Sequence, residues 1–172
     1  MNNKPIQTAS NTPSQHAGGI HIKSKQELDH MRLAGQITGA ALKKLRTAVV
    51  PGITTKELDR IAEKEIRSLG AKPAFKGYMG FPGTICASVN EEIVHGIPGK
   101  RVLEEGDLFK VDCGATINGF IGDSALSLAV GEIEPEVEQL SKITREALYA
   151  GIAEAQVGNR IGDIGSAVQA IA

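Results

Sequence analysis

Two aspartates, Asp112 and Asp123, flank an Asn118-Gly119 pair in a stretch otherwise rich in apolar and small residues. Asn-Gly between two apolar runs is a strong signal for a two-residue β-hairpin turn, because both positions tolerate positive φ. Such a loop sets the register: Ile117 opposes Phe120, Val111 opposes Leu126, Asp112 opposes Ala125 and Gly114 opposes Asp123. Side chains alternate across a strand, so the two aspartates share one face as diagonal neighbours, with backbones about 7–8 Å apart. Phe109, Val111, Cys113, Leu126 and Leu128 take the opposite face, which is nearly all apolar and is predicted to be buried. Carboxylates leaning together from that distance could bridge one cation, or a metal pair about 3.5–4 Å apart. The glycine facing Asp123 leaves room for it. Spacing and register leave three readings open: a metal site, two solvated strand carboxylates, or an acid/base pair. Aspartate is depleted in strands, and neither carboxylate has a lysine or arginine opposite it, since Lys110 faces Ser127.

His95 is a further candidate, in the Gly- and Pro-rich stretch Val94-His95-Gly96-Ile97-Pro98-Gly99. His16 and His21 lie in or beside the N-terminal segment and read as incidental, and His30 is expected on the polar side of the first helix. Cys113 adjoins Asp112 but points to the other face, so it reads as packing. By residue type Cys86 reads as a small core residue, and Met79 as loop packing. The two cysteines form no CxxC and no disulfide framework, which suits reduced thiols in a cytosolic protein.

The elements that position these residues are marked by caps and breakers. Ser24 with Glu27 forms a capping box ahead of a helix over 25–48, with Met31, Leu33, Ile37, Ala41, Leu42 and Leu45 as its apolar stripe. Pro51-Gly52 ends it. Thr54 with Glu57 opens a second helix that Gly70 closes. Residues 73–83 read as loop and 84–90 as a strand. Two strands follow at about 107–117 and 120–130. Pro135 starts a helix running to about Gln156, and a last helix begins near Asp163. With 41% hydrophobic residues in 172, one domain with a real core is expected over residues 20–172. Residues 1–19 are polar and Pro-containing, without the apolar core of a signal peptide or the arginines of a transit peptide, and read as a disordered tail. The net charge is −1 and no basic block occurs, so nucleic-acid binding has no electrostatic footprint. Aromatics are too scarce, at 3%, for a base-stacking platform. No run nears the roughly 18 apolar residues of a membrane span.

Three stretches carry a resemblance. They are Ile85-Cys86-Ala87-Ser88-Val89-Asn90-Glu91 leading into Val94-His95-Gly96-Ile97-Pro98, then Gly106-Asp107 through Val111-Asp112-Cys113-Gly114-Ala115, then Gly119-Phe120-Ile121-Gly122-Asp123. In order and spacing they resemble type I methionine aminopeptidases, over nearly the whole of 20–172. The resemblance implies an α+β fold, the N-terminal half of a pita-bread fold, with an antiparallel sheet and covering helices. It implies metal-dependent removal of the initiator methionine from nascent proteins in the cytoplasm. Asp112 and Asp123 match the first two ligands of a site for two divalent ions, with Co, Mn, Fe and Zn as candidates. His95 matches the histidine that contacts substrate near the scissile amide. Tyr78, Phe81 and Cys86 match the methionine pocket. Phe75 falls there too, at a position often held by a small residue.

The family completes its site with a histidine, in a Gly-His-Gly-Ile-Gly-like stretch, and two glutamates, one of them the general base. All three match positions past Ala172. The chain is therefore expected to be the N-terminal portion of such an enzyme, weak or absent in metal binding and inactive alone. Apolar surface that the other half would cover is expected to be exposed. The complete enzyme is expected to be a monomer acting on the N-terminal methionine of nascent peptides, with the ribosome as a partner and no membrane contact. Two other readings compete. A non-catalytic pita-bread relative binding peptides or the ribosome is disfavoured by carboxylates kept in a pocket. An X-Pro peptidase of the same fold is disfavoured by the His-Gly-Ile-Pro stretch and the short N-terminal segment.

Overall fold

The computed structural model describes residues 21–172, so the expected tail over 1–19 lies outside the described residues. Helix α1 spans Lys25–Ala48 and α2 spans Thr55–Ser68, and both predicted capping boxes form. The Ser24 hydroxyl accepts the Glu27 N–H, and the Glu27 carboxylate accepts the Ser24 N–H at 2.7 Å. Thr54 and Glu57 repeat the exchange on α2. Gly70, at φ 81°, turns the chain after α2 with the left-handed conformation that a Cβ disfavours.

Strands β1 (Lys72–Pro73), β2 (Ile85–Val89), β3 (Leu108–Ile117) and β4 (Phe120–Ala129) follow. They form one antiparallel sheet in which β3 is central: β1 and β2 pair along one of its sides and β4 along the other. The two-residue β1 falls at the edge of a segment read from sequence as loop. It forms because Lys72 and Pro73 reach the end of β3, opposite Thr116 and Ala115, a pairing with no local pattern. Helices α3 (Pro135–Ala153) and α4 (Ile161–Ile171) pack on each other, with Pro135 in the first helical turn as expected.

The core lies between α1, α2 and one face of the sheet. Leu45, Leu58, Ile66, Ile85, Val89, Phe109 and Val111 are fully buried there. Burying side chains of this size contributes about 1.5–3 kcal/mol each. The buried stripe of α1 is Ala34, Ile37, Thr38, Ala41, Leu42 and Leu45. Met31 and Leu33, expected in the stripe, are exposed. The helix is rotated so that small residues face the sheet, which brings its backbone against β4. A Cβ on Gly122 would lie 2.5 Å from Ala34 carbonyl atoms. The Thr38 hydroxyl sits 3.1 Å from the Ala34 oxygen and 3.0 Å from the Gly122 oxygen. His30 is half-buried rather than on a free polar face: its ring stacks on Phe120 at 5.6 Å and pairs with the Asn118 amide. The apolar face of the hairpin is buried on β3, at Phe109, Val111 and Cys113. On β4 it is only partly covered, with Leu126 exposed.

Candidate metal centre

Asn118 and Gly119 both have positive φ, 51° and 81°, the requirement of a type I′ turn. The predicted register holds at every pair, including Asp112 opposite Ala125 and Gly114 opposite Asp123. Strand β2 adds Cys86 opposite Asp112 and Ser88 opposite Lys110. Cys86 and the two aspartates therefore share one face. The Asp112 carboxyl is half-buried, and Asp123, on the same face one diagonal step away, is exposed. Burial first, then the charge and hydrogen bond of Asp123, push it up to about 6, against the opposing pull of the Cys113 N–H and His95. Two carboxylates on one strand face, the half-buried one driven toward its protonated form, make a place where a cation would relieve repulsion and the desolvation of Asp112. Their oxygens are the donors that hard divalent ions take. The pair fits as part of a metal site. Among the described residues, no group of three or more His, Cys, Asp or Glu side chains is gathered closely enough to hold an ion.

The room opposite Asp123 is already used. A Cβ on Gly114 would fall 2.8 Å from Phe75 Cε1 and 3.0 Å from Ala74 Cβ, so the Phe75 ring lies over this glycine. Ala74 N–H donates to Gly114 O at 2.9 Å, just beyond the β1 pairing, and carries the ring there. Phe75 is thus placed beside the carboxylate pair. Tyr78 belongs to a single 3-10 turn, Tyr78–Gly80, and is exposed; Phe81 closes that turn with its N–H on Tyr78 O at 2.9 Å. Met79 is almost wholly exposed, at 91%, so the loop packing expected of it does not occur.

His95 stands at φ 60°, in the left-handed region. The residue after it, Gly96, runs so close to β2 that a Cβ would meet Ala87 O at 2.2 Å. This proximity turns His95 to a cleft of about 300 Å³ that also contains Asp112, Cys86, Ser88, Lys110 and Thr144. The hairpin register joins Asp112 to Asp123, and the cleft brings Asp112 together with His95 and Cys86. Asp123, Tyr78, Phe81 and Phe75 are not among its lining residues. Ser88, Lys110 and Thr144 were not singled out beforehand. For the first two a signal existed, since their spacing puts them on the faces of Cys86 and Asp112.

Neither cysteine is a nucleophile at neutral pH. Burial, then the charges of Asp112 and Asp123, push the Cys86 thiol up to about 11. Cys113 is fully buried and raised to about 12 by the same causes in the same order, with a smaller share from Asp59.

Residues 29–172 match the group described as metallopeptidase family M24. The chain is 50% identical over 151 residues to the methionine aminopeptidase of Clostridium acetobutylicum, covering 87% of this chain and 60% of that protein. It is also 50% identical over 150 residues to methionine aminopeptidase 1 of Bacillus subtilis, with the same shares covered. It spans about 60% of the length of these curated relatives. The fold matches the crystal structure of methionine aminopeptidase from Thermotoga maritima with a TM-score of 0.86 at 39% identity, over 88% of this chain and 61% of that one. Prolidase from Pyrococcus furiosus shares the fold, with a TM-score of 0.78 at 24% identity, over 87% of this chain and 43% of that one. Pita-bread architecture and matching sequence over residues 29–172 agree: the chain belongs to metallopeptidase family M24.

Proposed function

We propose that this chain carries the first part of a metalloaminopeptidase site that removes the N-terminal methionine of nascent peptides. The observation that carries the reading is the hairpin register, which sets Asp112 and Asp123 on one face, with Asp112 lining the His95 cleft. The two carboxylates would hold the divalent ions, whose identity among Co, Mn, Fe and Zn depends also on ligands outside this set. A divalent ion there supplies Lewis acidity, which polarises a scissile carbonyl and makes water a competent nucleophile at neutral pH. His95 hydrogen-bonds the substrate beside the scissile amide. Cys86, raised well above neutral pH, stays an uncharged wall suited to a thioether side chain. Phe75 extends that apolar wall next to Asp123, and Tyr78 and Phe81 close on the methionine side chain from the 78–81 turn. Cytoplasmic location and contact with the ribosome fit a substrate that is a nascent chain. Among the described residues no helix is long and apolar enough to cross a membrane.

Two carboxylates alone offer few metal bonds. Calorimetric titration of the 172-residue chain with Mn²⁺ or Co²⁺ is expected to give no sub-micromolar affinity, and the chain should release no methionine from a Met-Gly-Met peptide. A chain lengthened to the size of the relatives, with a further histidine and two glutamates, should release it. Asp112→Asn or Asp123→Asn should then lower that activity by about a thousandfold or more, the scale of losing a catalytic metal's stabilisation. Full activity in either variant would remove the ligand assignment. His95→Ala should lower turnover while metal content stays constant.

A further inference from the structure

The segment that carries His95 is fastened at two points by buried hydroxyl groups. Ser88 on β2 is 2% exposed, and its hydroxyl accepts the Gly96 N–H at 3.0 Å. The neighbouring Ala87 N–H donates to Gly96 O at 2.8 Å. Both backbone groups of the residue directly after His95 are therefore bonded to β2. Thr55, at the start of α2 and also 2% exposed, accepts the Gly99 N–H at 2.9 Å and donates to Gly99 O at 3.2 Å. Between these points Pro98 is wedged against Gly83, where a Cβ would fall 2.6 Å from the proline Cγ.

His95 needs such support. At φ 60° it occupies the left-handed region, which non-glycine residues enter at a cost, histidine at less cost than most. The support reaches it through Gly96, and among the described residues the side chain bonded to Gly96 is the Ser88 hydroxyl. Ser88 also lines the same cleft as His95 and Asp112. Removing the hydroxyl leaves the Gly96 N–H without a partner against the sheet, and an unpartnered donor there favours any backbone rotation that returns it to water. The nearest such rotation is at His95, which relieves its own strain by moving to negative φ.

We infer that Ser88 is a positioning residue for His95, keeping the imidazole in the cleft it shares with Asp112, with Thr55 anchoring the far end of the segment. This rests on the reading of His95 as the substrate-contacting group. A hydroxyl that merely completes a hydrogen bond would leave the ring in place when removed. A positioning hydroxyl would not.

Nuclear magnetic resonance on the isotope-labelled 172-residue chain separates the two. In the wild-type chain the Gly96 amide should exchange at least tenfold more slowly than those of Val94 and His95, and the His95 ring should show Overhauser contacts to the Cys86 and Asp112 side chains. In Ser88→Ala the Gly96 amide should exchange at least tenfold faster and those ring contacts should vanish, while the Val111 and Cys113 amides of β3 keep their protection. Ser88→Thr, which retains the hydroxyl, should restore both. Ring contacts that survive in Ser88→Ala, or that stay lost in a folded Ser88→Thr, overturn the inference. If Ser88→Ala does not fold, the wild-type pattern decides, and equal exchange at Gly96 and Val94 overturns it. These readouts need neither metal nor turnover. A ring held by Ser88 in a protein that never releases methionine would leave this inference standing and remove the functional reading instead.

Discussion

Asp112 works against the fold that holds it. Its carboxyl is raised to about 6 by burial and by Asp123, whereas an unhindered aspartate titrates near 3.8. A raised acid binds its proton more tightly in the folded state, so its contribution is neutral below about pH 4 and destabilising above about pH 6. Stability of the metal-free chain should therefore fall as pH rises through that window. Asp112→Asn removes the charge and keeps the shape. It should stabilise the metal-free chain by about 1 kcal/mol at pH 7.5, a figure discounted for the solvent that reaches this half-buried group. At pH 4 it should change little. Urea denaturation at the two pH values checks this, and an equal gain at both would mean that charge is not the cause. The pairing itself was legible in the sequence, because a two-residue turn leaves one register and strand parity does the rest. The placement of His95 was not. It depends on Gly96 meeting Ala87 and Ser88, a contact between segments that no local pattern encodes. Phe75 was legible as a pocket candidate, but its seat over Gly114 needed the β1 pairing with the end of β3.

Among the elements, α1 shows the same division. Its ends could be read from Ser24, Glu27 and the Pro51-Gly52 break, because caps are local chemistry. Its buried face could not, because an apolar count favours Met31 and Leu33 over Ala34 and Thr38. The sheet selected otherwise: close approach to β4 demands small side chains, and Gly122 supplies the matching gap. This crossing sets how β4, and with it Asp123, is held against the rest. Gly122→Ala should be among the most damaging single changes in the chain. The added methyl would meet backbone atoms of Ala34 at 2.5 Å, and backbone cannot swing aside as a side-chain tip can. Overpacking of this kind costs about 1–3 kcal/mol or more. Gly39→Ala on the same helix is a suitable control, since its Cβ would meet nothing within 4 Å; it should be neutral or mildly stabilising through helix propensity. Thermal unfolding of the two variants tests the argument, which fails if they melt together.

Over the whole molecule, stability is unevenly spread. Among the described residues, the α1–α2–sheet unit owns nearly all the fully buried side chains. Helix α3 buries only Ala147 and Gly151, α4 buries nothing, and the extensive contacts of each are with the other. Leu140, Leu148, Tyr149, Ile152, Val157 and Ile161 remain exposed on this hairpin and its connection. An isolated helix pair of this length is marginal without a packed face, so the hairpin should open in a sub-global step while the sheet stays closed. Amide exchange in α3 and α4 is accordingly expected to be at least tenfold faster than in β2 and β3. The same exposed apolar groups form the kind of surface that soluble monomers rarely leave open. The chain should therefore self-associate as its concentration rises, and light scattering should report a mass above the 18.1 kDa of one chain. Leu148→Lys with Ile152→Lys, both on α3 and both exposed, should return the mass toward that of one chain without altering exchange in β3. If the double variant associates as strongly as the wild type, the contact lies elsewhere, and the partly covered face of β4 at Leu126 becomes the surface to change next.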